Sequence, residues 1–131
     1  MNEKLIVDTI VNFWKSSGFT VATEIANFYR SADIAAIDNN GNIYIVECKV
    51  SSVGRAIDQI KTHKLSADKA YIGMPYRSTK QSTIDRIINA GVGLIYVMPD
   101  GTINEFIDGS NPNVWDIAKI RLRSRILEAI E

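Results

Sequence analysis

Residues 32–50, ADIAAIDNNGNIYIVECKV, consist of two apolar runs separated by an Asn-Asn-Gly segment. The runs predict two β-strands, 32–38 and 42–50, because Asn-Gly between such runs is a strong hairpin signal. The second run is apolar without interruption at first, as in a strand buried on both faces. Glu47 and Lys49 then follow two positions apart, which places them on the same face of the strand. Charges at the end of a buried strand are costly unless they are paired, bound to a metal or solvated where the strand emerges.

Asp33 lies in the first of these strands, and the register of the hairpin decides what it meets. A three-residue loop ending with Gly41 in the left-handed conformation would place Asp33 opposite Glu47. A two-residue loop would place it opposite Cys48, and the sequence permits both registers. We favour the first because it forms a site. Two adjacent carboxylates repel each other, and a bound Mg²⁺ or Mn²⁺ would relieve that repulsion.

The remaining apolar patterns predict helices over 3–17, 53–66, 79–90 and 113–130, and strands over 19–25, 69–74, 93–99 and 102–107. The order α-β-β-β-α-β-α-β-β-α indicates an α/β fold, with a mixed β-sheet flanked by helices on both faces. We expect a single domain over 1–131, with 108–131 as a C-terminal helical extension. Trp14 and Cys48 are predicted to be buried. The last helix has an apolar stripe formed by Trp115, Leu122, Ile126 and Ala129. We expect this stripe to pack on the domain, although a dimer seam is an alternative.

The composition is that of a globular protein with an uneven distribution of charge. The chain has 131 residues and no net charge. Residues 1–48 carry three basic and six acidic side chains (−3), whereas 49–86 carry eight basic and three acidic ones (+5). An acidic cluster beside a basic segment suits a cation site next to a polyanion, although solvated helix faces also explain it. The N-terminus lacks the features of a signal peptide, and no apolar run would span a membrane, so we expect a cytoplasmic protein without a membrane partner.

The pattern of Asp33, a hairpin, and Glu47-Cys48-Lys49 resembles that of the PD-(D/E)XK nuclease superfamily. GFTVATEI, SADIAAID and IYIVECKV are especially similar to archaeal Holliday-junction resolvases and small restriction-endonuclease-like nucleases. The resemblance covers about residues 1–98, and Ala32 stands where the motif has proline. It implies a restriction-endonuclease-like fold and a Mg²⁺-dependent DNA endonuclease, with Mn²⁺ as a substitute. Junction resolution would require two active sites and therefore a homodimer.

The resemblance also implies roles for individual residues. Asp33, Glu47 and the backbone carbonyl of Cys48 would bind the metal, and Lys49 would orient or deprotonate the attacking water. Relatives often carry a further acid on the first helix, for which helical phase favours Glu3; Glu24 is a second candidate.

The helix after the motif strand supplies further candidates. Gln59 and His63 resemble a Gln-x-x-x-Tyr element of some of these nucleases, so Gln59 is a catalytic candidate. Contacts with DNA phosphates are expected from Arg55, Lys61, His63 and Lys64. Two rival interpretations remain: a nuclease fold that binds DNA or protein without catalysis, and an interaction protein in which Glu47 and Lys49 form an ion pair.

Overall fold

The helices and strands follow the predicted order in the computed structural model, which describes residues 1–130. The helices are α1 (Glu3–Ser16), α2 (Val53–His63), α3 (Gln81–Asn89) and α4 (Asp116–Glu128), with a 3₁₀ turn over Lys64–Ser66 after α2. The strands are β1 (Thr20–Asn27), β2 (Arg30–Ile37), β3 (Ile43–Cys48), β4 (Lys69–Pro75), β5 (Gly93–Val97) and β6 (Ile103–Ile107). Within residues 1–130, none of the helices combines the length and the apolarity that crossing a bilayer requires.

The six strands form one mixed sheet in sequence order. Strands β1, β2 and β3 are antiparallel, β3, β4 and β5 are parallel, and β6 is antiparallel to β5. Helix α1 packs on one face, and α2, α3 and α4 pack on the other. The prediction of an α/β fold with a mixed sheet between helices is confirmed.

The hairpin between β2 and β3 has the three-residue loop that we favoured. Asp38 donates its backbone N–H to the carbonyl oxygen of Asn42 at 3.0 Å. Gly41 has a φ of +82°, in the left-handed region that glycine adopts readily. The pairs run from Ile37↔Ile43 to Ile34↔Val46, so Asp33 and Glu47 are next in register beyond the last pair.

Alternation along the strands divides the buried side chains between two cores. Ile45 and Ile72 belong to the core under α2, α3 and α4, whereas Val46 and Cys48 belong to the core under α1. Cys48 is 3% exposed, and Trp14 packs in the α1 core at 5% exposure, so both are buried as predicted. The strand β3 therefore ends inside the molecule, with Glu47 buried within it and Lys49 following at the boundary of the core.

Two local features differ from the predictions. Helix α4 starts at Asp116 and not at residue 113, because the backbone N–H of Trp115 is held by the carbonyl of Leu65 in an extended segment. Trp115 is 56% exposed and is not part of the buried stripe, which Leu122 and Ile126 form. The turn between β1 and β2 is tighter than the predicted strand ends imply: Phe28 and Tyr29 form a two-residue turn, both with positive φ.

Candidate active site

Asp33 occupies the point where β2 and β3 diverge. Its Oδ2 accepts a hydrogen bond of 2.7 Å from the backbone N–H of Cys48. If β2 and β3 stayed paired beyond this point, a backbone carbonyl oxygen of β2 would accept the N–H of Cys48. The carboxylate of Asp33 accepts it instead. This bond fixes Asp33 against the end of β3, next to Glu47.

Glu47 is a buried carboxyl group, with only 4% of its surface exposed. Its pKa is raised to about 8, first by burial, then by the charge of Asp33 and a side-chain hydrogen bond with that residue, and least by the charge of Glu3. Its Oε1 has no hydrogen-bond partner within residues 1–130. Glu47 is therefore an incompletely satisfied carboxyl group that would hold a proton at neutral pH without a cation.

A buried polar network lies behind Glu47. The Nε2 of His63 is 3.5 Å from the Oε1 of Glu47, and Nε2 has no hydrogen-bond partner in the described chain. Asn27 donates its Nδ2 hydrogens to the Nδ1 of His63 at 3.0 Å and to the Oγ of Ser66 at 2.9 Å. Ser66 in turn donates to the carbonyl of His63 at 2.8 Å.

The network fixes the tautomer of His63. The hydroxyl of Ser66 donates its hydrogen to the carbonyl of His63, so its oxygen can only accept a hydrogen bond from Asn27. The side-chain nitrogen of Asn27 is therefore the atom that faces both Ser66 and the imidazole ring of His63. Nδ1 then accepts, and a neutral ring carries its proton on Nε2, facing Glu47. Burial lowers the pKa of His63, followed in effect by the charge of Arg30, which favours the neutral ring. His63 is placed to orient the carboxyl group of Glu47.

The expectation that His63 contacts nucleic acid from the surface is wrong. The side chain is fully buried, at 0% exposure, on the core side of α2 with Ile60 and Ala56. The helical phase of His63 is compatible with either face. Its burial follows from Asn27 and Ser66, which supply the polar partners that an imidazole needs inside a protein.

Removing the amide of Asn27 is expected to destabilise the protein. Asn27→Ala leaves Nδ1 of His63 without a partner and removes the donor to the Oγ of Ser66, both in a buried space. We expect a loss of about 2–3 kcal/mol in the free energy of unfolding, measured by urea denaturation. Asn12→Ala, at an exposed position of α1, is the matched control and should change stability by less than about 0.5 kcal/mol. Equal stability of the two variants would contradict the network.

Lys49 pairs with Glu3, an acidic residue whose charge also acts on Glu47. Its Nζ is 3.6 Å from Oε1 of Glu3 in the first turn of α1, and both side chains are partly exposed. Glu3 is thus near the site, but as the partner of Lys49. Within residues 1–130, no group of three Asp, Glu, His or Cys side chains has the arrangement of a metal site. The predicted ligand set of Asp33, Glu47, Glu3 and the carbonyl of Cys48 stays a prediction.

The acid pair nevertheless suits Mg²⁺. This ion keeps several water ligands and is commonly held by one or two carboxylates together with substrate phosphates. The oxygen of Glu47 that does not face His63 and the adjacent carboxylate of Asp33 supply two such groups. A divalent cation between them would offset the repulsion that raises the pKa of Glu47.

The predicted contacts on and after α2 have different surroundings. Arg55 and Lys61 are exposed, and Arg55 lines a shallow groove with Lys49. Gln59 is partly buried and forms no hydrogen bond with Lys49 in the described chain. Lys64 donates its Nζ to the carbonyl of Ala90 at 2.8 Å, at the end of α3. The expectation of a phosphate contact from Lys64 is corrected to this capping role, which a cation at a helix C-terminus fulfils well.

Glu24, the second acidic candidate, lies in β1 opposite the Asp33 position. It has a φ of +48° and is skipped in the pairing of β1 with β2, which passes from Thr23↔Ile34 to Ile25↔Ala32. Its side chain is exposed and forms no ion pair with Lys49 among residues 1–130. A role for Glu24 as the further acid stays a prediction.

Comparison with known proteins supports the fold. No protein-family model and no curated protein matches the sequence. A solved structure described as the SPO1766 protein of unknown function from Silicibacter pomeroyi superposes with a TM-score of 0.70 at 13% identity, covering 98% of this chain and 85% of its own. A repair endonuclease from Pyrococcus abyssi superposes with a TM-score of 0.60 at 18% identity, covering 76% of this chain and 48% of its own.

These likenesses show a shared fold. Residues of this chain form a mixed-sheet α/β architecture that a repair endonuclease also has, over about half the length of that enzyme. At such identities the chemistry must be argued from the side chains of this chain alone.

Proposed function

We propose that this protein is a Mg²⁺-dependent DNA endonuclease that hydrolyses phosphodiester bonds, as the resemblance to the PD-(D/E)XK superfamily implies. The observation that carries the proposal is the pair of Asp33 and the buried carboxyl group of Glu47 where β2 and β3 separate. Lys49 follows directly after β3, and the fold is one that a repair endonuclease shares. Such a pair is costly to fold, so a role in cation binding accounts for it better than a structural role does.

The proposed mechanism assigns one task to each group. Asp33, Glu47 and the carbonyl of Cys48 hold the metal, which when bound neutralises phosphate charge and makes water a better nucleophile. Lys49 orients the attacking water and offsets the negative charge that develops on the phosphoryl oxygens. Water adds to phosphorus and the bond to the 3′ oxygen breaks, leaving a 3′-hydroxyl and a 5′-phosphate.

Two neighbours position these groups. Glu3 stands 3.6 Å from Lys49 and restrains its ammonium group at the mouth of the site. His63 presents its Nε2 proton to Glu47, which keeps one carboxylate oxygen directed inward and leaves the other for the cation. Gln59 is kept as a candidate for the scissile phosphate, since it lies on the same helix as Arg55 on the side away from the core.

Cleavage of plasmid and four-way-junction DNA with Mg²⁺ or Mn²⁺ tests the proposal, with wild type compared with Glu47→Ala. We expect metal-dependent nicking by the wild type only, and preference for the junction would indicate branched-DNA selectivity. Failure of the wild type to cut any DNA with either ion would contradict the proposal. DNA binding without cleavage would select the inactive nuclease-fold module, which the lack of a three-residue metal cluster within residues 1–130 favours as the second candidate.

We also propose a cytoplasmic location, in which the buried thiol of Cys48 stays reduced. If the substrate is a junction, two copies of the chain are needed to cut two strands. Sedimentation of the protein with junction DNA would then give two chains for each junction.

A further inference from the structure

A second polar cleft, of about 420 Å³, lies beside the candidate active site and is lined by basic and hydroxyl side chains. Its walls come from the start of α2 and from the segment that leads into α3: Ser52, Val53, Gly54, Arg77, Ser78, Thr79, Lys80, Thr83 and Arg86. No acidic residue is among them. Its three cations, Arg77, Lys80 and Arg86, are not among the predicted phosphate contacts, and we call this site the basic cleft.

The cations of the basic cleft are not neutralised by the protein. Within residues 1–130, the side chains of Arg77, Lys80 and Arg86 form neither an ion pair nor a hydrogen bond, and all three are exposed. The guanidinium of Arg86 lies against Gly54, with Nη2 3.1 Å from where a Cβ on that glycine would be. The three positive charges repel one another, and an anion bound between them would make the electrostatic energy of the cleft favourable.

The helix ends add to this positive potential. Arg86 sits over the first turn of α2, where the helix dipole already places partial positive charge. Helices α2 and α3 both begin at this cleft, without a side-chain cap and without an acidic residue in the first turn. Free backbone N–H groups and guanidinium groups that face one space suit a phosphate, which accepts several hydrogen bonds at once.

The basic cleft is continuous with the groove beside Lys49. Ser52 and Gly54 line both the cleft and the groove formed with Lys49 and Arg55. Lys49 in turn lines the depression that contains Glu3. An extended polyanion that places one phosphate at Lys49 would therefore pass over the start of α2 into the basic cleft.

We propose that the basic cleft binds a backbone phosphate of the nucleic-acid strand, next to the phosphate held at Asp33, Glu47 and Lys49. This inference rests on the proposed function, because it takes the strand to lie across both sites. Arg77 and Arg86 grip the phosphate, Lys80 adds charge, and the start of α2 supplies N–H donors. The contact is independent of base sequence.

Binding of a fluorescein-labelled DNA duplex, measured by anisotropy in EDTA so that no cleavage occurs, tests this inference. We expect Arg77→Gln combined with Arg86→Gln to weaken binding by roughly thirtyfold at about 0.1 M salt and to make the salt dependence shallower by about one phosphate. The matched control is Lys15→Gln combined with Arg121→Gln, which removes the same charge elsewhere and should change binding by less than about threefold. Unchanged thermal unfolding midpoints show that both variants are folded.

The outcomes separate this inference from the proposed function. Equal DNA binding by the two double variants would overturn the proposal that the basic cleft binds phosphate, even if Glu47→Ala abolishes cleavage. If the wild type binds DNA but never cleaves it, and Arg77→Gln combined with Arg86→Gln weakens that binding as expected, the phosphate site in the basic cleft is supported and the nuclease activity is contradicted. Binding of poly-glutamate in preference to the duplex, or no binding of duplex by the wild type, would also overturn it, because the cleft would then serve another anion.

Discussion

Glu47→Gln is expected to abolish DNA cleavage while stabilising the metal-free protein at alkaline pH. The substitution keeps the volume of the side chain but removes the charge that the proposed metal needs, so cleavage should fall by about 10²–10³-fold or more. The same charge is unfavourable to the fold, because Glu47 is 4% exposed and lies beside Asp33. Loss of activity with a gain of stability distinguishes a metal ligand from a residue that only holds the structure together.

The pH dependence of this effect has a definite sign. The pKa of Glu47 is about 8 in the folded protein, above its ordinary value of 4.5. The folded state therefore binds more protons between these values, and stability falls as the pH rises until the group has ionised. Between about pH 7 and pH 9 the wild type should lose about 1.4 kcal/mol in EDTA, which is roughly 5 °C in the unfolding midpoint.

Thermal unfolding in EDTA near pH 7 and pH 9 measures this difference. Glu47→Gln should show a smaller decrease than the wild type, and Mg²⁺ should raise the midpoint of the wild type at the higher pH but not that of the variant. His63 does not interfere, because its pKa is lowered from 6.5 and its ionisation destabilises the fold only at more acidic pH. Identical pH profiles for the two proteins would show that Glu47 is not the strained group described above.

Lys49→Gln is expected to slow cleavage by about 10²–10⁴-fold and to leave metal binding intact. Lys49 lies two residues after Glu47 and is not itself a proposed ligand, and its partly exposed side chain pairs with Glu3. Single-turnover cleavage at saturating enzyme isolates the chemical step from DNA binding. Lys15→Gln removes an exposed charge from α1 and is the matched control, with less than about fivefold effect.

Lys49→Arg provides a second control, because it restores the positive charge but not the proton-transfer chemistry of an amine. We expect it to recover only part of the rate. Full activity of Lys49→Gln would contradict the assigned role and would leave water activation to other groups.

The hairpin that forms the site was predictable because its determinants are local. Alternation, Asn-Gly turn chemistry and the spacing of Glu47 and Lys49 all act within residues 32–50, so the three-residue loop and its register followed from the sequence together with the requirement for a site. The mixed sheet followed in the same way from the order of apolar segments. The divergence of β2 and β3, which lets Asp33 bond to the backbone of Cys48, has no local signal.

The surroundings of the site depend on contacts between distant segments. His63 is buried because Asn27 and Ser66 supply its polar partners. Ser66 is only three positions later in the chain, whereas Asn27 is 36 positions earlier, and no local sequence pattern reveals that tertiary contact. Asn27 itself was missed because β1 extends into a turn whose residues, Phe28 and Tyr29, are not typical of positive φ. Lys64 was interpreted as a surface charge, whereas Ala90 at the end of another helix captures it.

Calorimetric titration of the DNA-free protein with Mn²⁺ near pH 7.5 tests most directly whether Asp33 and Glu47 share a cation. We expect one ion for each wild-type chain, accompanied by release of the proton that Glu47 holds. Asp33→Asn and Glu47→Gln should each abolish this binding, while Lys49→Gln should retain it. Equal Mn²⁺ affinity in the wild type and in both carboxylate variants would contradict the account.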